Sequence, residues 1–284
     1  MRFMNFISSL LTLAFAPKGS TMNQANPFNP QPLPGIKNII LVGSGKGGVG
    51  KSTVSVNLAL ALKNKGKKVG LLDADIYGPS IPRMVGCLNQ APGINEDKKL
   101  LPIQRYGLSV MSIGFLVDES QAMVWRGPML FKAMDQFFHD VKWGDLDYLI
   151  LDLPPGTGDI ALTIAQKLKV AGGIIVTTPQ NISLADAKKA VDMFNQVHIP
   201  QLGFVENMSY FKAPGSEEKI QLFPKGELDA YLDAKQIKKL AEIPFNPNVS
   251  LGSEAGIPIV ESQHDSTESL AFSSVAEKLI EKLG

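Results

Sequence analysis

At 284 residues, 44 % hydrophobic and 19 % charged, the chain has a globular composition and room for one large α/β domain or two small ones. A net charge of +1 removes the electrostatic case for a nucleic-acid partner or an anionic membrane surface. One cysteine, Cys87, excludes an intrachain disulfide framework, fits a reducing compartment and reads as a small buried or loop residue.

The first stretch, Met1–Ala16, carries Arg2, an apolar run Phe3–Phe15 and Ala14-x-Ala16, in the manner of a short signal peptide. It is too short to span a bilayer, and Pro17 stands where cleavage would leave a new N-terminus. The expectation is therefore a short amphipathic or poorly ordered leader on a cytoplasmic protein. Pro27, Pro30, Pro32 and Pro34 then punctuate a linker, so that 1–35 holds little fixed structure and a single folded domain takes 36–284.

The domain opens on Lys37–Thr53. The apolar run Ile39–Val42 stops at a glycine-rich loop that ends in Lys51-Ser52-Thr53, and a helical pattern follows through Leu62. Strand, loop and helix are the context that makes Gly45-x4-Gly50-Lys51-Ser52 a phosphate-binding loop. Its glycines let backbone N–H groups close around phosphate oxygens where the helix dipole adds its field. Lys51 would neutralise the β- and γ-phosphates and Ser52 would ligate Mg²⁺.

Lys63–Lys68 is a solvated basic helix end. Val69–Leu72 is a second short strand, and it runs into Asp73-Ala74-Asp75. Carboxylates at the C-terminal end of a parallel strand lie on the ligand crevice of an open sheet, where they hold a metal's water shell or orient an attacking water. Residues 88–106 are loop-rich, with short strands around 101–103 and 108–113. Trp125-Arg126-Gly127-Pro128 precedes a helical pattern from Met129 to Val141; Arg126 is either a phosphate or subunit contact or a surface residue.

Tyr148–Leu151 ends in Asp152, the pattern of a buried strand with a Walker B carboxylate, and Gly156 follows as a flexible backbone donor near the γ-phosphate. Gly173–Thr177 is a further strand, followed by a helix Ser183–Val197 capped by Ser183 or Asn181. Gly203–Asn207 and Glu242–Phe245 are the last strands. The final helix, Leu270–Leu283, would dock on the sheet through Leu270, Val275, Leu279 and Leu283. Strands alternating with helices predict an α/β fold: a doubly wound, mainly parallel sheet with helices on both faces.

With Lys46 ahead of Gly47, the loop GKGGVGKST resembles the deviant Walker A of the MinD/ParA/nitrogenase-reductase class of dimeric P-loop ATPases. DADIYGPS at 73–80, WRGP at 125–128, LDLPPGTGD at 151–159 and VENMSYF at 205–211 narrow the resemblance to the Mrp/ApbC family of ATP-dependent iron–sulfur cluster carriers, from about Gly35 onward.

The resemblance implies ATP and Mg²⁺ as cofactors, an ATPase activity and a homodimer serving iron–sulfur assembly proteins or apoprotein clients, with neither nucleic acid nor membrane. It implies that Gly45, Lys46, Gly47, Gly48, Val49, Gly50, Lys51, Ser52 and Thr53 bind nucleotide, with Asn207 and Pro244 at the base. Lys46 would reach the partner's nucleotide, Asp75 would orient water, and Ser52, Asp73 and Asp152 would serve Mg²⁺. The family's usual Cys-x-x-Cys is missing, since Ala213 and Ser216 stand at those positions. Serine is a poor replacement for thiolate toward an iron–sulfur cluster. Two alternatives follow. One is a nucleotide-gated interaction protein without direct cluster binding, with Lys212–Lys225 as a partner-binding or merely solvated loop. The other is a MinD/ParA-like positioning ATPase, which would need a basic DNA-binding face or a basic membrane helix.

Overall fold

A computed structural model describes residues 30–76, 78–116, 134–156, 159–213, 215–216 and 218–284. The leader, Arg126 and the WRGP motif lie outside the described residues. In chain order the strands are β1 (Ile36–Ser44), β2 (Val69–Asp73), β3 (Gly93–Ile94), β4 (Leu100–Leu101), β5 (Ile103–Arg105), β6 (Leu108–Ser112), β7 (Leu146–Asp152), β8 (Gly172–Thr177), β9 (Gln201–Asn207) and β10 (Lys239–Ile243). The helices of use below are α1 (Lys51–Asn64), α2 (Ile81–Met84), α3 (Asp159–Lys167), α4 (Asn181–Gln196), α5 (Leu228–Lys235), α6 (Pro247–Ala255), α7 (Ile259–Ser262) and α8 (Thr267–Leu283).

Runs such as Ile39–Val42 and Leu149–Leu151 offer solvent no polar face, so they fold where both faces are covered. They form the middle of an eight-stranded sheet of order β10-β9-β8-β1-β7-β2-β6-β5. Every pairing in it is parallel except β5 with β6. Helix α1 is buried on most sides, with Val54, Val56, Leu58, Leu60 and Leu62 inside, because it lies between the sheet and α8. Helix α4 packs on β8 and β1. Among the described residues no helix is long and apolar enough to cross a membrane.

Several boundaries differ from those read in the sequence. Fixed backbone begins before Ile36: Gln31 exchanges hydrogen bonds with Lys167 O (2.8 Å) and Lys169 N (2.9 Å), and Leu33 is buried. The last strand lies earlier, at Lys239–Ile243, because Pro244 has no N–H for the ladder. Neither Ser183 nor Asn181 caps α4. Gln180 is its N-cap, while the Ser183 hydroxyl bonds Thr178 (2.6 Å) and Asn181 Oδ1 accepts from Glu227 N (2.8 Å). In α8 the buried stripe is Glu268, Phe272, Val275, Ala276 and Leu279, which leaves Leu270 on the opposite side, 57 % exposed. Of the Met129–Val141 pattern, the described helical part is 134–139, and Val141 instead forms a bridge to Leu100.

The β9–β10 edge is held by one cation. Lys239 Nζ donates to Glu206 (2.6 Å), Glu242 (2.9 Å) and Asp229 of α5, and Lys225 joins Asp229 at 3.0 Å. Burial alone would depress the Lys239 pKa; its hydrogen bonds to Asp229, Glu206 and Glu242 outweigh burial and raise it. The same Lys239 bond, aided by Lys225, holds Asp229 below its ordinary value. Lys239→Met strands the buried Glu206 carboxylate and is expected to cost roughly 3 kcal/mol in urea denaturation at pH 7. Asp229 has a depressed pKa in the folded state, so its contribution is present above its unfolded value and fades as pH falls through the folded one. The gap between wild type and variant should therefore narrow below about pH 4.

Candidate nucleotide-binding site

β1, β2 and β7 end side by side, and their register sets the chemistry of the crevice. Val42 and Asp73 both pair with Asp152, so the carboxylates that close β2 and β7 are lateral neighbours. From β1 the chain turns through Gly45–Gly50 into α1. Gly45 lies so close to α4 that a Cβ would fall 2.1 Å from the Asp186 carbonyl carbon. Gly50 has φ +83, and a side chain there would meet the Asn207 amide at 2.2 Å. Asn207 Nδ2 donates to Val49 O (2.9 Å), which ties the end of β9 to the loop. Gly47 and Gly48 face open space. Gly50 caps α1 without a side-chain hydrogen bond, so the first amides of the helix stand ready for an anion.

The Asp152 carboxylate is fully buried and surrounded by donors. Lys51 Nζ (2.7 Å) and Ser52 Oγ (2.6 Å) both reach Oδ2, and Ser55 Oγ (2.6 Å) reaches Oδ1. Lys51 Nζ also lies 3.8 Å from Asp75 Oδ2. Asp73 sits behind this group: Oδ1 accepts from Asp75 N (3.1 Å), and Oδ2 accepts from Ile81 N (3.1 Å) and Ser112 Oγ (3.0 Å). Burial, then the charge of Asp152, push Asp73 up to about 8, against the opposing pull of Lys51 and the two amides.

A cleft of about 670 Å³ opens from this cluster, within the usual range for small-molecule sites. Lys46, Gly47, Gly48, Gly50, Lys51, Ser52, Thr53 and Asp75 line one end; Asn207, Met208, Ile243, Pro244, Phe245 and Phe272 line the other. Val49 points inward and is buried. The structure thus gathers the predicted loop, Asp75, Asn207 and Pro244 around one cleft, with Asp152 and Asp73 beneath it. Ser55 and Ser112 escaped the sequence reading. Ser55 had a signal, a hydroxyl one turn from Lys51 between Val54 and Val56; Ser112 required knowing that β6 pairs with β2.

Ala213 and Ser216 lie on a hairpin closed by two 2.8 Å hydrogen bonds between Phe211 and Ile220. Its own groups bond one another: Ser216 N to Ala213 O (3.0 Å), and Glu218 N to Ser216 Oγ (3.1 Å). Cys87 is 1 % exposed, and burial pushes its thiol pKa up, away from the thiolate a cluster requires. Among the described residues no group of three or more His, Cys, Asp or Glu is placed to hold a metal ion. Thiolate ligation of a cluster by this chain's own residues does not fit.

Residues 35–280 match the family described as ParA, NUBPL iron-transfer P-loop NTPase. The chain is 49 % identical over 253 residues to the iron-sulfur cluster carrier protein of Aquifex aeolicus, covering 89 % of this chain and 70 % of that protein. The nucleotide-binding protein of Archaeoglobus fulgidus, solved in complex with ADP, is 39 % identical with a TM-score of 0.72, covering 84 % of this chain and 92 % of that one. The septum site-determining protein MinD of Pyrococcus horikoshii, complexed with Mg-ADP, is 25 % identical with a TM-score of 0.65, covering 87 % and 97 %. The glycine loop over a buried Lys51–Asp152 pair and the match over nearly the whole folded domain agree: the chain belongs to the ParA/NUBPL family of iron–sulfur cluster carrier and transfer P-loop NTPases.

Proposed function

We propose that the chain binds Mg-ATP and hydrolyses it to ADP and phosphate as a cytoplasmic homodimer, and that this cycle serves the assembly of iron–sulfur clusters or their transfer to apoprotein clients. The observation that carries the reading is the open glycine loop above Lys51, whose ammonium is held at 2.7 Å by Asp152 at the edge of the cleft.

Phosphoryl transfer needs positioning and charge neutralisation more than covalent chemistry. The loop amides and Lys51 meet the phosphates. Ser52 and Asp152, with Asp73 behind them, form an all-oxygen donor set of the kind a hard divalent cation takes. Mg²⁺ bound there supplies charge neutralisation on the phosphate oxygens. Asp75 borders the cleft beside Lys51 and orients the attacking water. Lys46 lines the mouth of the cleft and has no carboxylate partner among the described residues, which suits a cation that acts on the nucleotide of a second subunit. Asn207 spends one N–H on Val49 and keeps its carbonyl for the base, beside Pro244.

A second reading concerns the cargo. The closed hairpin at Ala213 and Ser216, together with the buried Cys87, favours a nucleotide-gated protein whose clients or assembly partners bring the thiolates.

Steady-state ATPase assays test the first reading. Lys51→Ala should lower kcat/KM at least about 100-fold, and Lys46→Ala should lower kcat about 1000-fold while changing nucleotide affinity less than about threefold. Lys46→Ala should also lose ATP-dependent dimerisation in light scattering; a monomer turning over at the wild-type rate contradicts the trans role. For the second reading, iron and sulfide are counted after anaerobic reconstitution. Both wild type and Cys87→Ser should stay at background, whereas a stoichiometric cluster in wild type that is lost in Cys87→Ser would restore direct ligation.

A further inference from the structure

The two walls of the cleft are joined at one backbone junction. Arg83 and Met84 of α2 and Val249, Ser250, Ser253 and Glu254 of α6 all line the cleft, as two wall segments that pack on each other. The walls meet where Gly86 follows α2 and Gly256 ends α6. Both residues have positive φ, +70 and +73, and a Cβ on Gly256 would fall 2.5 Å from Gly86 Cα. No side chain fits between the two strands of backbone.

The turn from β5 to β6 grips this junction. Arg105 Nε donates to Val85 O (2.9 Å), at the end of α2, and Tyr106 Oη donates to Gly256 O (2.7 Å), at the end of α6. Arg105 Nη2 donates in turn to Tyr106 Oη (3.1 Å), and the guanidinium lies 4.3 Å from the centre of the Tyr106 ring. Tyr106 holds φ +50, a conformation uncommon for a residue with a side chain, so the turn is built around this placement. Arg83 and Glu254 also link the two helices, but at 3.7 Å with both side chains at least half exposed the pair contributes little. Helix α2 also carries the amide of Ile81 that bonds Asp73, two residues from Asp75. The spacing of the walls and the seat of the Asp73–Asp75 turn therefore depend on the same short helix.

We propose that Arg105 and Tyr106 are a positioning pair that sets the separation of α2 and α6, and through it the affinity of the cleft for a nucleoside di- or triphosphate. The proposal rests on the nucleotide reading above. Neither residue touches the nucleotide; they act through the carbonyls of Val85 and Gly256.

Three variants test it. Tyr106→Phe keeps the ring under Arg105 and removes the hydroxyl that both bonds share. Arg105→Lys cannot reach Val85 O and Tyr106 Oη together. Gly256→Ala leaves the pair intact and forces the junction apart. Each should raise the Kd for ADP carrying a fluorescent ribose label, and the KM for ATP, about five-fold, a loss on the scale of one neutral hydrogen bond, with kcat within about two-fold. Hydrogen exchange in the nucleotide-free protein should quicken at 78–86 and 247–257 while thermal melting shows the variants folded. Unchanged Kd and KM, or exchange at both walls equal to wild type, overturns the proposal. If the wild-type protein binds no nucleotide, the nucleotide reading fails on its own, and the exchange measurement still decides whether the pair fixes the walls.

Discussion

A carboxylate buried at the centre of a parallel sheet is costly, and Asp152 is tolerated because three donors surround it. The cost of removing an ion from water is several kcal/mol even after relaxation, and only good geometry with further hydrogen bonds offsets it. Lys51, Ser52 and Ser55 all come from the first turn and a half of α1, so one helix N-terminus supplies the whole set. That requirement fixes the helix against β7, and hence the loop above it. The arrangement also holds Lys51 in a defined place without freeing it from competition. A phosphate entering the loop offers the ammonium a second anion, and the balance between the two is the electrostatic core of any nucleotide response.

Asp73 shows what the same register costs next door. It is buried, and as the lateral neighbour of Asp152 it also meets a second carboxylate; burial first, then that charge, raise its pKa against the pull of Lys51. Three donors hold it in place: the amide of Asp75 in the turn that borders the cleft, the amide of Ile81 at the start of α2, and the Ser112 hydroxyl. A change of charge around Asp152 is thus felt by the turn through Asp73, with no need for a long relay. The clamp on α2 from Arg105 and Tyr106 limits how far that turn can follow.

Much of this was legible from local pattern because the chemistry is local. The glycine loop, Lys51 and Ser52 are contiguous, and Asp73 and Asp152 close apolar runs that can only be buried strands. What stayed illegible depended on neighbours distant in sequence. Ser112 matters because β6 happens to lie beside β2, and Tyr106 because its hydroxyl reaches Gly256, 150 positions away. The misplaced β10 had a different cause. Glu242–Phe245 has strand-like composition, but the ladder needs N–H groups, and Pro244 ends it while Lys239 is drawn in by Glu206. Hydropathy alone puts Leu270 on the buried face, against the angular position that the other apolar residues of α8 define.

The hairpin after β9 bears most directly on how a nucleotide cleft can act on cargo. Asn207 is bonded to the loop, and the next residues are not slack: Ser209 donates both N–H and hydroxyl to Ile243 O, and Phe245 N donates to Tyr210 O at 2.6 Å. Lys219 then stacks on the Tyr210 ring at 4.2 Å, so the far limb of the hairpin leans on the same short segment. Met208, in this segment, holds φ +53 and lines the cleft. A displacement of Asn207 would have to be absorbed by Met208 or passed to Tyr210, and the three hydrogen bonds beyond it resist absorption. The connection between the cleft and the hairpin therefore does not depend on thiols at 213 and 216. On the nucleotide-gated reading proposed above, this hydrogen-bonded connection is the route by which a partner supplying its own thiolates would sense the cleft.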